Sequence, residues 1–77
     1  MKEFHIFLHS FRQVKEFVAL ATVQPFDVLV GNDKHQINGK GFIGMSSLDY
    51  SRPLRVCVRC SEEEFRRFQK DAANFIA

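Results

Sequence analysis

The chain has 77 residues, so it forms one domain near the size at which a core buries only roughly 60% of the unfolded surface. Nine Phe and no Trp within 45% apolar content supply the bulk of a small core and exclude a disordered chain. A net charge of +2, from Lys and Arg scattered along the chain, argues against a dedicated nucleic-acid binder, and the longest uncharged apolar stretch, Phe17 to Val23, is far too short to span a bilayer. No charged start, apolar run and small-residue cleavage site opens the sequence, so a cytoplasmic location is the expectation. Two Cys are too few for a disulfide framework and would stay thiols in a reducing compartment.

Phe4, Ile6 and Leu8 alternate with Glu3, His5 and Phe7, the period of a half-buried strand, which predicts a first strand over Lys2 to Leu8. Ser10 followed by Gln13 has capping-box spacing. Val14, Phe17, Val18 and Ala21 then recur at helical spacing, which predicts a helix over Phe11 to Val23. Phe26, Val28 and Val30 alternate again, and Gly31-Asn32-Asp33 offers a hairpin turn into a weaker strand over His35 to Asn38. A short helix over Phe42 to Leu48 follows the Gly39 and Gly41 pair. After Pro53, Leu54, Val56 and Val58 alternate with Arg55, Cys57 and Arg59 as a fourth strand. Ser61 and Glu64 form a second capping box, three Glu suit the positive end of a helix dipole, and Phe65, Phe68, Ala72 and Phe75 share one face, predicting a final helix over Glu62 to Phe75.

The order strand, helix, strand, strand, short helix, strand, helix predicts an α+β fold. It is an open-faced sandwich in which three helices cover one face of a four-stranded antiparallel sheet. The expected core joins Phe17, Val18, Ala21, Phe65, Phe68, Ala72 and Phe75 to Phe4, Ile6, Leu8, Val28, Val30, Val56 and Val58.

The ten residues from Gly39 to Leu48, Gly-Lys-Gly-Phe-Ile-Gly-Met-Ser-Ser-Leu, resemble the second-helix segment of HPr, the histidine-containing phosphocarrier of the bacterial phosphoenolpyruvate:sugar phosphotransferase system. The resemblance runs without a gap from about Ser10 onward, and the family's order of elements is the one read above. It implies a single HPr-like domain over residues 1–77, a non-enzymatic carrier-family protein without cofactor. It also places Ser10-Phe11-Arg12-Gln13 where the family has His-Ala-Arg-Pro. In HPr an imidazole at the start of the first helix accepts a phosphoryl group from enzyme I and passes it to enzyme II components. Free amides and the helix dipole suit a phosphate there, and the following Arg adds a charge-assisted contact. A serine phosphate is a stable ester, so Ser10 cannot serve as the relay, and of the motif only Arg12 survives.

Ser10 reads as the N-cap of the first helix, accepting from the Gln13 amide. Arg12 is either a solvated side chain or the remnant of an anion site, and His9 is an alternative, displaced phosphoryl acceptor. In part of the family a serine opening the second helix is phosphorylated by a regulatory kinase; here that position is Gly41, so the switch is absent. Ser46 and Ser47 read as structural. Phe42, Ile43 and Met45 match apolar positions that help dock partner proteins in the family. Phe42 and Ile43 are expected in the core and Met45 at the surface, with Phe11 a further exposed contact. The implied function is a non-phosphorylatable paralogue that binds partner proteins, such as enzyme I, enzyme II components or a regulator, through Ser10, Phe11, Arg12 and Met45.

Cys57 and Cys60 form a lone C-x-x-C, a weak metal or redox signal, because the two positions point to opposite faces of a continuing strand. His5 and His9 are roughly 13 Å apart at strand rise, too far for one ion, so no metal site is expected; His5 and Cys57 are candidate cross-strand neighbours. RNA-recognition modules share the sheet-and-helix architecture, and Phe7, Arg55 and Arg59 would lie on the open face. Those modules stack bases on aromatics of the two central strands, and the chain has none there.

Overall fold

The computed structural model describes residues 1–32 and 34–77. The elements are β1 (Lys2–Ile6), α1 (Phe11–Thr22), β2 (Val28–Gly31), β3 (Gln36–Asn38), α2 (Phe42–Ser46), β4 (Leu54–Val58) and α3 (Glu62–Asp71). The strands form one sheet in the order β1-β4-β2-β3, antiparallel throughout, with Phe4 opposite Val56 and Val30 opposite Val56 on its other side. This is the α+β sandwich that the alternation of short strands and amphipathic helices implies.

The residues of β1, β2 and β4 that point toward the helices, Phe4, Ile6, Val28, Val30, Leu54, Val56 and Val58, are buried, and Val14, Phe17, Val18, Ala21, Phe68, Ala72 and Phe75 pack against them. The core is ordered around Phe68. Its ring meets those of Phe4 and Phe26 edge-on, with centroids 5.6 Å and 5.7 Å away, and lies tilted against Phe17 at 6.3 Å. Such pairs contribute about 0.5–1.5 kcal/mol each beyond the area they bury. Phe65, expected in the core, is only partly buried and flanks it, edge-on to Phe4 at 5.9 Å.

Several boundaries differ from those read in the sequence, each for a local reason. β1 stops at Ile6 because its partner β4 begins at Leu54 and the next position, Pro53, has no amide to donate; beyond that point the chain bonds to the tail after α3. The Phe7 amide donates to the Phe75 carbonyl (2.7 Å), the Ala77 amide donates to the His5 carbonyl (3.0 Å), and Ile6 faces Ile76 in an antiparallel bridge. Leu8 is nevertheless core, as its alternation implies. The same tail shortens α3. Beyond Asp71 the bonds tighten to the i−3 pattern, Ala73 to Lys70 and Phe75 to Ala72, so Phe75 reaches the core from a turn rather than from the helix. α2 ends at Ser46, where the Ser46 and Ser47 hydroxyls donate to the Ile43 and Gly44 carbonyls (2.9 Å and 2.7 Å), offering the backbone an alternative to a further helical turn.

In the hairpin between β2 and β3, the Asn32 side-chain oxygen accepts from the amides of Lys34 (2.8 Å) and His35 (3.0 Å). Gly31 is required by close approach, since a Cβ there would sit 1.9 Å from the His35 carbonyl oxygen. Asp33 of the expected turn lies outside the described residues.

Candidate functional site

The start of α1 is built by its own sequence. Ser10 is extended (φ −159°, ψ 164°), and its hydroxyl accepts from the Gln13 amide at 3.3 Å, satisfying one of the donors a helix start leaves open. The expected reciprocal contact is displaced by one residue: the Gln13 side-chain oxygen accepts from the His9 amide (2.6 Å) rather than from that of Ser10. Ser10 and Gln13 therefore hold the approach to the helix, while α3 has the complete box between Ser61 and Glu64.

The His9 imidazole lies flat on the Phe7 ring, with centroids 4.7 Å apart and planes 6° from parallel. The Arg12 side chain is 86% exposed and pairs at 3.8 Å with Glu16 one turn along the same helix. An exposed pair of this kind contributes little to stability and leaves the guanidinium in water, where an incoming anion can compete for it.

Beside the cap, α2 presents an apolar surface, though with a different set of residues from that expected. Met45, anticipated at the surface, is 1% exposed and belongs to the core, while Phe42 and Ile43, anticipated in the core, are 37% and 79% exposed. The cause is the seating of α2. Gly44 lies against Ile37 of β3, where a Cβ would come within 3.2 Å of the Ile37 side chain, and this close approach turns Met45 and Leu48 inward. At about 100° per residue Ile43 then faces almost directly away from the sheet, and Phe42 stands at the flank. Phe11, half exposed, meets Phe42 edge-on at 5.5 Å. Phe11, Phe42 and Ile43 thus form an apolar patch next to Ser10 and Arg12.

The architecture is similar to that of the crystal structure of HPr-C-His from Thermoanaerobacter tengcongensis. It superposes with a TM-score of 0.74 and 25% sequence identity over 96% of this chain and 92% of that one. The fold is that of HPr. No protein-family model and no curated protein matches the chain.

On the HPr fold, Gly41 stands at the N-cap of α2 without a side-chain cap bond (φ −97°, ψ 107°). Away from the α1 start, Cys57 lies on the open face of the sheet and Cys60 packs against the core, so the two thiols are separated by the sheet. Cys57 is directly opposite Glu3, whereas His5 is opposite Arg55, which corrects the anticipated His5–Cys57 pairing. Burial raises the Cys57 thiol above its ordinary range, and the Glu3 carboxylate, 3.7 Å from Sγ, adds to the effect. Burial likewise raises the Cys60 thiol, with Glu64 adding to it. Among the described residues no group of three or more His, Cys, Asp or Glu could hold a metal ion, and no helix is long and apolar enough to cross a membrane. The open face of the two central strands presents Leu29, Arg55 and Cys57 and no aromatic ring.

Proposed function

We propose that this chain is a phosphotransferase-type HPr domain that does not relay phosphate and acts by binding partner proteins. The reading is supported above all by the state of Ser10. At the position where the resemblance puts the acceptor imidazole, a hydroxyl is engaged as the helix cap. A phosphoryl carrier needs a nucleophile whose phosphorylated form is itself a good donor, and an alcohol forms a stable ester instead. The neighbouring imidazole of His9 is stacked on the Phe7 ring.

What remains is a recognition surface. Phe11, Phe42 and Ile43 supply an exposed apolar centre, with Arg12 and Ser10 as its polar border, the arrangement of a small protein interface. Its partners are enzyme I, enzyme II components or a regulator that reads the same surface, with Met45 acting from beneath as support rather than as contact.

The test is incubation with enzyme I and labelled phosphoenolpyruvate, using an ordinary HPr as the positive control and scoring acid-labile phosphate on the wild type and on His9→Ala. The expected result is no label on either protein, together with slowed labelling of HPr when the wild-type chain is in excess. Relief of that competition by Ile43→Asp assigns it to the patch. Label on the wild type that disappears in His9→Ala would overturn the proposal and make His9 the acceptor.

A further inference from the structure

The open face of the sheet carries a second feature, independent of the α1 start. The pairing of Val28 with Val58 makes Asp27 and Arg59, just beyond the ends of β2 and β4, the next opposed positions, and both line the same dish as Leu29 and Cys57 of the open face. Opposite charges so placed ordinarily pair. Here they do not: neither side chain makes a hydrogen bond or ion pair among the described residues. Both line an open dish of about 450 Å³ together with Met1, Val28, Leu29, Asn38 and Cys57. That volume is within the range of small-molecule sites, roughly 300–1,000 Å³.

Met1 and Leu29 supply the apolar part of its lining. Cys57 is 3% exposed, covered from two sides by Glu3 and Gln36, which approach its sulfur at 3.7 Å each, and Leu29 is half-buried beside it. A cation and an anion lining the same dish as Met1 and Leu29 fit a ligand with one charge of each sign and a short apolar body. The guanidinium fork of Arg59 matches a carboxylate in two parallel hydrogen bonds, and the Asp27 carboxylate accepts from an ammonium group.

We propose that this dish binds a small zwitterion of the apolar α-amino-acid class, its carboxylate on Arg59, its ammonium on Asp27 and its side chain over Leu29 and Met1. The experiment is titration of the whole protein with L-leucine, followed by backbone amide shifts, with leucinamide and N-acetyl-leucine as the ligands lacking one charge. The expected result is a saturable shift confined to the open-face residues near Leu29, Asn38, Cys57 and Arg59. Affinity should fall by about tenfold or more for either blocked ligand, and likewise for Arg59→Ala and Asp27→Asn, since a hydrogen bond to a charged group is worth about that much. Both positions are exposed, and an unchanged amide pattern elsewhere establishes that each variant is folded. Absence of saturation with L-leucine, or an affinity that neither variant changes, overturns the assignment.

Discussion

Truncation of Met45 and of Ile43 separates support from contact in α2. Met45→Ala removes three heavy atoms from a side chain that is 1% exposed. Their transfer to water costs about 2 kcal/mol, and the cavity left behind adds to it. Because Met45 sits in a five-residue helix that can settle partly onto β3, the cavity term should be small, giving a total of about 2–3 kcal/mol. At roughly 0.05–0.15 kcal/mol per residue, a chain of 77 residues has about 4–12 kcal/mol of stability in all, so this single change removes a large share of it. Ile43→Ala, at 79% exposure, should leave stability within about 0.5 kcal/mol of the wild type. Urea unfolding of the three proteins, with equal slopes, reads both numbers directly. A Met45→Ala midpoint equal to that of the wild type, or an Ile43→Ala midpoint shifted as far as that of Met45→Ala, would refute the seating of α2 and return Met45 to the surface.

Other outcomes follow from the same physical terms. Ser10→Ala should cost about 1 kcal/mol through loss of the cap while Ser10→Asp should not, as measured by urea midpoints, because both a hydroxyl and a carboxylate can accept from the Gln13 amide. Gly31→Ala should destabilise by well over 1 kcal/mol, or move the hairpin enough to shift the amide signals of His35 and Gln36, because its Cβ has no room beneath the His35 carbonyl. The raised thiol of Cys57 predicts a pH effect of definite sign. Its folded value lies above the ordinary 9.0, so its contribution is complete below that pH and is lost as the pH rises through the folded value. The alkaline fall in unfolding midpoint should accordingly be smaller in Cys57→Ala than in the wild type. An equal fall in the two proteins would remove Cys57 as its source.

The parts of the molecule legible in the sequence are those in which many residues vote together. α1 and α3 carry apolar residues over several turns, and β1, β2 and β4 alternate strictly enough that a one-residue slip would expose the whole core side. α2 has only five residues, so its periodicity cannot choose a buried face; the choice falls to Gly44 against Ile37, a tertiary contact that spacing does not encode. The ends of β1 and α3 were obscured for a similar reason. Alternation continues to Leu8 and helical spacing to Phe75, but hydrogen bonds between the two segments claim the backbone and leave the side chains where the pattern put them.

The candidate site is the least constrained part of this architecture. Ser10, Phe11 and Arg12 are all exposed, and none belongs to the cluster around Phe68 that holds the sheet to the helices. An imidazole at position 10 could be exchanged for a hydroxyl at little cost to the fold, because the hydroxyl gains a capping bond that an imidazole is less suited to make. The cap at Ser10 thus contributes about 1 kcal/mol to the fold whatever chemistry the position supports. The apolar patch differs from Ser10 in this respect. Phe42 is tied to Phe11 through ring contact, and both helices bearing them are seated on the core. Under the proposed function this exposed apolar surface is where a partner would bind. Competition against HPr for enzyme I is thus the informative assay for the surface, whatever the labelling of the protein itself shows.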